Sequence, residues 1–223
     1  VKLVGGDGMK IRWIGHSCFL ITGSNGVKIL TDPFDESVPY PFPQEPVDIV
    51  TVSHDHFDHA AVGRVQGNPE VVRGVGEHTA KGIAFRGIPS FHDTEGGRKR
   101  GRNTIFKFAL DGITLAHCGD LGHVITAEQQ RPLEDVQVIL IPVGGFYTIG
   151  PKEAMETIRL LPNLRIVIPM HFKTEAVKDW PIEPVDEFLK VVDLPVKRLD
   201  VSEVEISPGD LPEKKEVWVL RYG

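Results

Sequence analysis

The 223-residue sequence predicts an α/β protein with mixed sheets that are covered by helices. Three observations predict this class. Short apolar, β-branched runs recur along the chain, and each ends at Gly, Pro, Asp or His. Helical periodicity appears between the later runs. Because strand hairpins come first and helices interleave later, the order of elements favours mixed sheets.

Eleven apolar runs have the length and composition of strands. In chain order they are residues 10–14, 19–22, 27–31, 47–53, 83–86, 104–110, 113–116, 136–143, 165–170, 196–199 and 217–221. Between the third and fourth runs, the proline-rich residues 33–46 must form an extended loop.

Three later segments carry helix signals. Residues 151–161 and 184–192 have the apolar spacing of a helix with one buried side. Thr126 is followed three residues later by Gln129, a capping-box signal for a helix that leads towards Arg131. We therefore expect helices between the later strands.

Composition predicts one globular domain over residues 1–223. Hydrophobic residues make up 41% and charged residues 25%, and neither a repeat nor a low-complexity linker interrupts the chain. The net charge of -6 argues against a protein that grips the phosphate backbone of nucleic acid, because that affinity requires clustered Lys and Arg.

The same survey predicts a cytoplasmic protein with no membrane partner. No apolar run approaches the ~20 residues needed to span a bilayer, and no signal-peptide pattern is visible. Cys18 and Cys118 are too few for a disulfide framework, which fits a reducing compartment.

The strongest chemical signal directly follows the run at 47–53. The segment contains four candidate metal ligands within six residues: His54, His56, Asp58 and His59. In extended backbone His54 and His56 share a face and can point at one ion, whereas Asp58 and His59 turn away and can face a second. The alternative is that Asp58 only caps a helix and the histidines lie on an exposed turn. Four such residues after a buried strand favour metal binding.

Two ions need further ligands, and three residues at later strand ends can supply them. His92, Asp120 and His171 each lie just beyond an apolar run. Loops at the carboxyl ends of neighbouring strands converge on one edge of a sheet. A single histidine of this kind is more often structural, but the shared placement favours ligation.

These motifs together resemble the metallo-β-lactamase superfamily. The HxHxDH segment at 54–59 is followed by His, Asp and His in that order. The flanking segments at 14–19, 31–33, 117–123 and 168–171 resemble its branch of small bacterial and archaeal hydrolases, which includes the ascorbate-6-phosphate lactonase-like proteins. The similarity covers about residues 9–173.

The resemblance implies an αββα four-layer sandwich with mixed sheets and with two metal ions at one edge. It implies a first ion held by His54, His56 and His92, and a second held by Asp58, His59 and His171, with Asp120 bridging. It also implies that Asp32 orients a ligand or the metal-binding loop.

Ligands that are all imidazole or carboxylate suit zinc best, although manganese and iron also fit. A water held between two such ions has its pKa lowered to about 7. The resulting hydroxide would be the nucleophile, so no Ser or Cys nucleophile is required.

We select Asp58, Asp120, His117 and His123 as candidate catalytic residues. His117 and His123, together with His16, match the hydrolase branch but not the general ligand set. Each is a candidate for a proton shuttle, a substrate contact or a donor to a ligand. The alternative for each is a buried histidine whose ring nitrogens are hydrogen-bonded.

Two positions are candidates for contacts with an anionic substrate. The glycine-rich loop at 96–103 contains four basic residues, and from it we choose Arg102 as the candidate for a substrate contact. Lys173 lies two residues after His171. The alternative for the loop is a solvated run of charge.

The function predicted is metal-dependent hydrolysis of a small anionic ester, lactone or phosphoester. Two alternatives stay open: a nuclease or cyclic phosphodiesterase of the same superfamily, and a non-catalytic metal-binding protein. The predicted partner is a small-molecule substrate, and the sequence leaves a homo-oligomer open.

Overall fold

The computed structural model describes residues 8–223. The strands in this part of the chain form two mixed β-sheets. The strands are β1 (Met9–Gly15), β2 (Cys18–Thr22), β3 (Lys28–Thr31), β4 (Ile49–Val52), β5 (Glu70–Arg73), β6 (Gly76–Ala80), β7 (Ile83–Phe91), β8 (Arg102–Leu110), β9 (Ile113–His117), β10 (Val138–Pro142), β11 (Ile166–Met170), β12 (Val196–Arg198), β13 (Glu203–Ile206) and β14 (Glu216–Val219).

The first sheet has the strand order β13-β1-β2-β3-β4-β5. β13, β1, β2 and β3 pair antiparallel, whereas β3, β4 and β5 pair parallel. The second sheet has the order β12-β14-β11-β10-β9-β8-β7-β6. Its strands from β12 to β9 run parallel, and those from β9 to β6 run antiparallel. The mixed sheets predicted from the order of elements are therefore confirmed.

The main core lies between the two sheets. In β2, Phe19 and Ile21 join this core, whereas the alternate residues Cys18 and Leu20 join a second cluster on the outer face of the first sheet. The alternation follows from the two-residue period of a strand. Because both faces of the first sheet bury apolar residues, β1 to β4 are apolar throughout most of their length.

Three α-helices lie within residues 8–223: α1 (Ala127–Leu133), α2 (Pro151–Arg159) and α3 (Val185–Leu189). α1 begins with the predicted capping box, in which Thr126 and Gln129 each cap the other's backbone N–H. α2 and α3 bury one side each in the main core. Over the outer face of the first sheet, loops from 34–47 and 177–182 supply the cover.

All eleven runs predicted as strands contain strands, and three further strands were missed. These are β5, β6 and β13, which lie at sheet edges; β5 and β6 expose most of their residues, and β13 carries two glutamates among its four. Their sequences EVVR, GEHTA and EVEI are too polar to stand out as apolar runs. Helix α3 is shorter than the predicted 184–192. None of the helices within 8–223 is long and apolar enough to cross a membrane.

Candidate metal centre

The chemistry-bearing residues lie at one edge of the sandwich, where strands of both sheets end. β1, β3 and β4 run in the same direction, and so do β7, β9 and β11. The residues that follow these strands include His16, Asp32, His54, His92, Asp120 and His171. The convergence predicted from strand ends is therefore observed.

The segment after β4 leaves the strand and closes into a helical turn. The backbone N–H groups of His59 and Ala60 both donate to the carbonyl of His56, at 3.0 Å. In this segment His54 and His59 are buried, whereas Asp55, His56 and Phe57 are exposed. Of the three histidines in the motif, two are therefore buried and His56 is open to solvent.

Two histidine groups form at this edge, and in each the ligand atoms lie within 4.8 Å of one another. The first group is His54, His56 and His92, which the resemblance assigned to one ion. The second is His16, His59 and His171. His16 was placed outside the ligand set, yet its ring lies 4.1 Å from that of His171, and its Nε2 lies 3.1 Å from Asp58 Oδ2.

The carboxylate of Asp120 lies between the two groups. Its Oδ2 is 3.0 Å from Nε2 of His92 and 3.4 Å from Nε2 of His171. Its Oδ1 is 3.2 Å from Nε2 of His59. The side chain is buried, and its backbone N–H is fixed by Asn103 Oδ1 at 3.0 Å. One carboxylate thus faces histidines from both groups.

Asp32 fixes the orientation of the first two buried histidines. It accepts hydrogen bonds from Ser53 N at 2.8 Å, Ser53 Oγ at 2.6 Å and His59 Nδ1 at 2.8 Å. Since the hydroxyl hydrogen of Ser53 points to Asp32, Ser53 Oγ accepts from Nδ1 of His54, at 2.9 Å. Both imidazoles therefore direct an Nε2 lone pair towards the cluster.

Burial keeps two histidines of the cluster neutral. Burial and the neighbouring His59 lower the pKa of His54 to about 3, and burial and His171 lower the pKa of His16 to about 4. Burial opposes ionisation of Asp58 and Asp120, but the adjacent histidines outweigh it and hold the pKa of both carboxyls below their usual range. At neutral pH the cluster presents imidazole lone pairs together with carboxylates.

These donors fit a divalent cation. Nε2 of His59 is buried 3.2 Å from Asp120 Oδ1 and has no hydrogen-bond partner. Burial opposes protonation of His59, but Asp120 and Asp32 raise its pKa well above the usual value. The position between these atoms thus attracts positive charge, which a metal ion can supply in place of the proton. Imidazole and carboxylate ligands suit zinc, manganese and iron alike.

Backbone strain is concentrated at this edge. His16, Asp32 and His171 adopt positive φ values of 54°, 40° and 51°, a region that non-glycine residues seldom occupy. Each follows directly after a strand that ends at the cluster. Such conformations persist when the surroundings impose them, and they are common at functional sites.

Neither His117 nor His123 offers a free ring nitrogen to the cluster. Nε2 of His117 donates to the carbonyl of Ser17 at 2.7 Å, and its Nδ1 accepts from Gly119 N at 3.2 Å. His123 likewise bonds two backbone groups, the carbonyl of Val124 at 2.8 Å and the N–H of Phe91 at 3.3 Å. With both nitrogens occupied, the geometry favours the structural alternative for these two candidate catalytic residues.

Replacing His117 separates the structural from the catalytic role. His117→Leu leaves the buried N–H of Gly119 unpaired, whereas the Ser17 carbonyl keeps its hydrogen bond from Thr31 Oγ1, and we expect the free energy of unfolding to fall by roughly 1–3 kcal/mol. We expect the metal content to stay unchanged. Urea unfolding and elemental analysis measure both, with His78→Leu on the polar strand β6 as the control. Loss of turnover at unchanged stability would instead favour the catalytic role.

A cavity of about 530 Å³ opens onto the cluster. His56, Asp58, His92, Asp120 and His171 line one side. Arg100, Tyr147, Asp179 and Trp180 line the other. Its size suits a small molecule.

The two proposed anion contacts lie elsewhere. Arg102 lines a neighbouring groove of about 840 Å³ that also contains His54 and His56. Lys173 lines a different depression together with Trp13, and the structure does not bring it to the cluster. Arg100, from the same basic loop as Arg102, lines both the cavity and the groove.

Sequence reasoning missed two residues that position the cluster, Ser53 and Asn103. Asn103 is buried, donates to Ser90 Oγ and to the carbonyl of Cys118, and holds the backbone of Asp120. Ser53 directly precedes the HxHxDH segment, so its place in the sequence could have indicated its role. Asn103 had no such signal, because its partners are distant in the chain.

A family model for the beta-lactamase superfamily domain matches residues 10–171, which include every member of the two histidine groups. The chain belongs to the metallo-β-lactamase superfamily. Within that superfamily it is similar to curated relatives named UPF0173 metal-dependent hydrolase. One from Methanoculleus marisnigri is 30% identical and covers 91% of this chain and 95% of the relative. Another from Pyrococcus abyssi is 31% identical and covers 82% and 92%. The chain is thus a metal-dependent hydrolase of this superfamily.

Solved structures agree with the fold. A candidate Zn-dependent hydrolase of the metallo-β-lactamase superfamily from Thermotoga maritima is 40% identical, with a TM-score of 0.79 over 96% of this chain and 100% of that chain. YhfI from Bacillus subtilis, a metallo-β-lactamase-fold protein, has a TM-score of 0.65 at 14% identity over 97% of this chain and 98% of its own. The metallo-β-lactamase sandwich implied by the sequence resemblance is confirmed.

Proposed function

We propose that this metallo-β-lactamase-fold protein uses two zinc ions to hydrolyse a small anionic ester, lactone or phosphoester. The observation that supports a dinuclear site is the position of Asp120, whose carboxylate faces histidines of both groups within 3.4 Å. A mononuclear site would leave one histidine group without a function. A set of imidazole and carboxylate ligands of this size suits two divalent ions.

In this proposal His54, His56 and His92 would hold one ion, Asp58, His59 and His171 would hold the other, and Asp120 would be shared by both. When bound, divalent ions supply Lewis acidity that lowers the pKa of water and polarises a carbonyl or phosphoryl oxygen. His16 donates to Asp58 and keeps that carboxylate oriented and ionised. Asp32 accepts a hydrogen bond from His59 and orients its imidazole ring.

The chain itself offers no thiol nucleophile at this site. Cys18 and Cys118 are both buried, and burial raises the pKa of each thiol, so both stay protonated at neutral pH. The carboxylate of Asp58 lines the cavity and its lowered pKa keeps it ionised, so it can accept a hydrogen bond from an attacking water. The nucleophile in this proposal is therefore water.

Metal reconstitution tests this function. Protein stripped with a chelator is titrated with Zn²⁺, Mn²⁺ or Fe²⁺, and hydrolysis of a γ-lactone, an aryl ester and an aryl phosphodiester is measured at each addition. We expect no hydrolysis before metal is added and full activity at two equivalents of zinc. Activity that saturates at one equivalent would contradict the dinuclear proposal, and two bound equivalents without activity on any substrate class would favour the non-catalytic alternative.

A further inference from the structure

Of the four basic side chains in the loop at 96–103, two lie against a carboxylate and two do not. Lys99 forms an ion pair with Glu95, and Arg98 lies 3.9 Å from the same carboxylate. Arg100 and Arg102, in contrast, form no ion pair with any carboxylate of residues 8–223. The loop is therefore more than a solvated run of charge, since two of its guanidinium groups are left available to a ligand.

Asp93 fixes the shape of this loop. Its carboxylate accepts four backbone N–H groups: those of Glu95 and Gly97, both at 2.8 Å, Lys99 at 2.9 Å and Arg100 at 2.8 Å. Asp93 directly follows the candidate ligand His92. The backbone of Arg100 is thus fixed to the residue that follows His92, as the support of a binding group needs to be.

The side chain of Arg100 is held as well. Its guanidinium carbon lies 5.2 Å from the centre of the Tyr147 ring, and one guanidinium nitrogen donates to the Tyr147 carbonyl at 3.4 Å. The remaining N–H donors have no partner of their own among the described residues. Arg100 is half-buried and lines the cavity together with Asp58, Asp120 and His171.

We propose that Arg100 binds a non-reacting oxyanion, a carboxylate or phosphate group, on the substrate. This inference rests on the proposed function. A guanidinium presents paired N–H donors that match carboxylate and phosphate oxygens, and partial burial strengthens such a pair. Arg100 differs from Arg102 in this respect, because Arg102 is exposed and lines only the adjoining groove. The residue would select substrates by charge without taking part in the chemistry.

Calorimetric titration of the zinc-reconstituted protein with inorganic phosphate and with succinate tests this assignment directly. We expect Arg100→Gln to weaken binding of at least one of these anions about 10-fold or more, as loss of a charge-assisted pair of hydrogen bonds would. Arg98→Gln is the matched control, because it removes an exposed arginine from the same loop. Whichever anion binds more tightly identifies the source of the oxyanion. Equal binding by both variants, or no binding by the wild type, would overturn the assignment.

A second measurement distinguishes this inference from the proposed function. Hydrolysis of p-nitrophenyl acetate is compared with that of the mono-p-nitrophenyl ester of succinate, which adds a free carboxylate. We expect Arg100→Gln to raise KM for the carboxylate ester alone and to leave its kcat and the zinc content unchanged. If no variant, including the wild type, hydrolyses either ester, the γ-lactone or the aryl phosphodiester while anion binding still depends on Arg100, the proposed function fails and the anion site stands.

Discussion

Asp120→Asn is expected to reduce bound zinc from two equivalents to below one and to abolish hydrolysis. The amide keeps the volume of the side chain but removes its negative charge. Nε2 atoms of His59, His92 and His171 all lie within 3.4 Å of this one carboxylate, so both histidine groups lose their shared anionic partner. Loss of a residue that only orients a ligand costs about 10–100-fold in metal affinity, and we expect a larger loss here. Elemental analysis of purified protein measures the effect.

Two further variants, His56→Ala and Asp55→Asn, show whether the loss of zinc is specific to Asp120. His56→Ala removes a ligand of the first group alone, so we expect that variant to retain about one equivalent of zinc. Asp55 lies in the same HxHxDH segment, but its side chain is exposed and pairs with Arg73. Asp55→Asn should therefore keep two equivalents. If Asp120→Asn also kept both, the bridging position would be wrong.

The sequence predicted which side chains converge at this edge because its signal is local. Four candidate ligands lie within residues 54–59, and three others lie just beyond apolar runs. Residues at strand ends converge only if the strands of a sheet run in the same direction. The structure confirms this for β3 with β4 in the first sheet and for β9 with β11 in the second. Polar edge strands such as β13 left no apolar signal, and their pairing depends on contacts far away in the chain.

The role of His16 was harder to predict for the same reason. Only the fold shows that the ring contacts His171, which is 155 residues later in the chain, and that it donates to Asp58. Likewise, the sequence drew attention to the basic loop at 96–103 but gave no means of ranking its members. Arg100 stands out because Glu95 neutralises its neighbours and Asp93 fixes its backbone.

The second large effect is expected for Asp32→Asn. Asp32 is fully buried, and its two carboxylate oxygens accept hydrogen bonds from Ser53 and His59. The neighbouring His117 and the His59 hydrogen bond outweigh burial and hold its pKa below the usual value, so it is ionised at neutral pH. An amide there places an NH₂ group against hydrogen-bond donors. Breaking a buried charged pair of this kind typically costs about 3–5 kcal/mol.

We therefore expect two separable losses in Asp32→Asn. Urea unfolding of the metal-free protein should show the decrease in the free energy of unfolding, and competition with a chelator should show zinc affinity reduced about 10–100-fold. Thr51→Val is the matched control, since Thr51 lies on the neighbouring strand β4 and its buried hydroxyl has no hydrogen-bond partner. That change should leave stability equal or slightly increased. Reduced stability at full zinc affinity would mean that Asp32 supports the fold but does not orient His59 for metal.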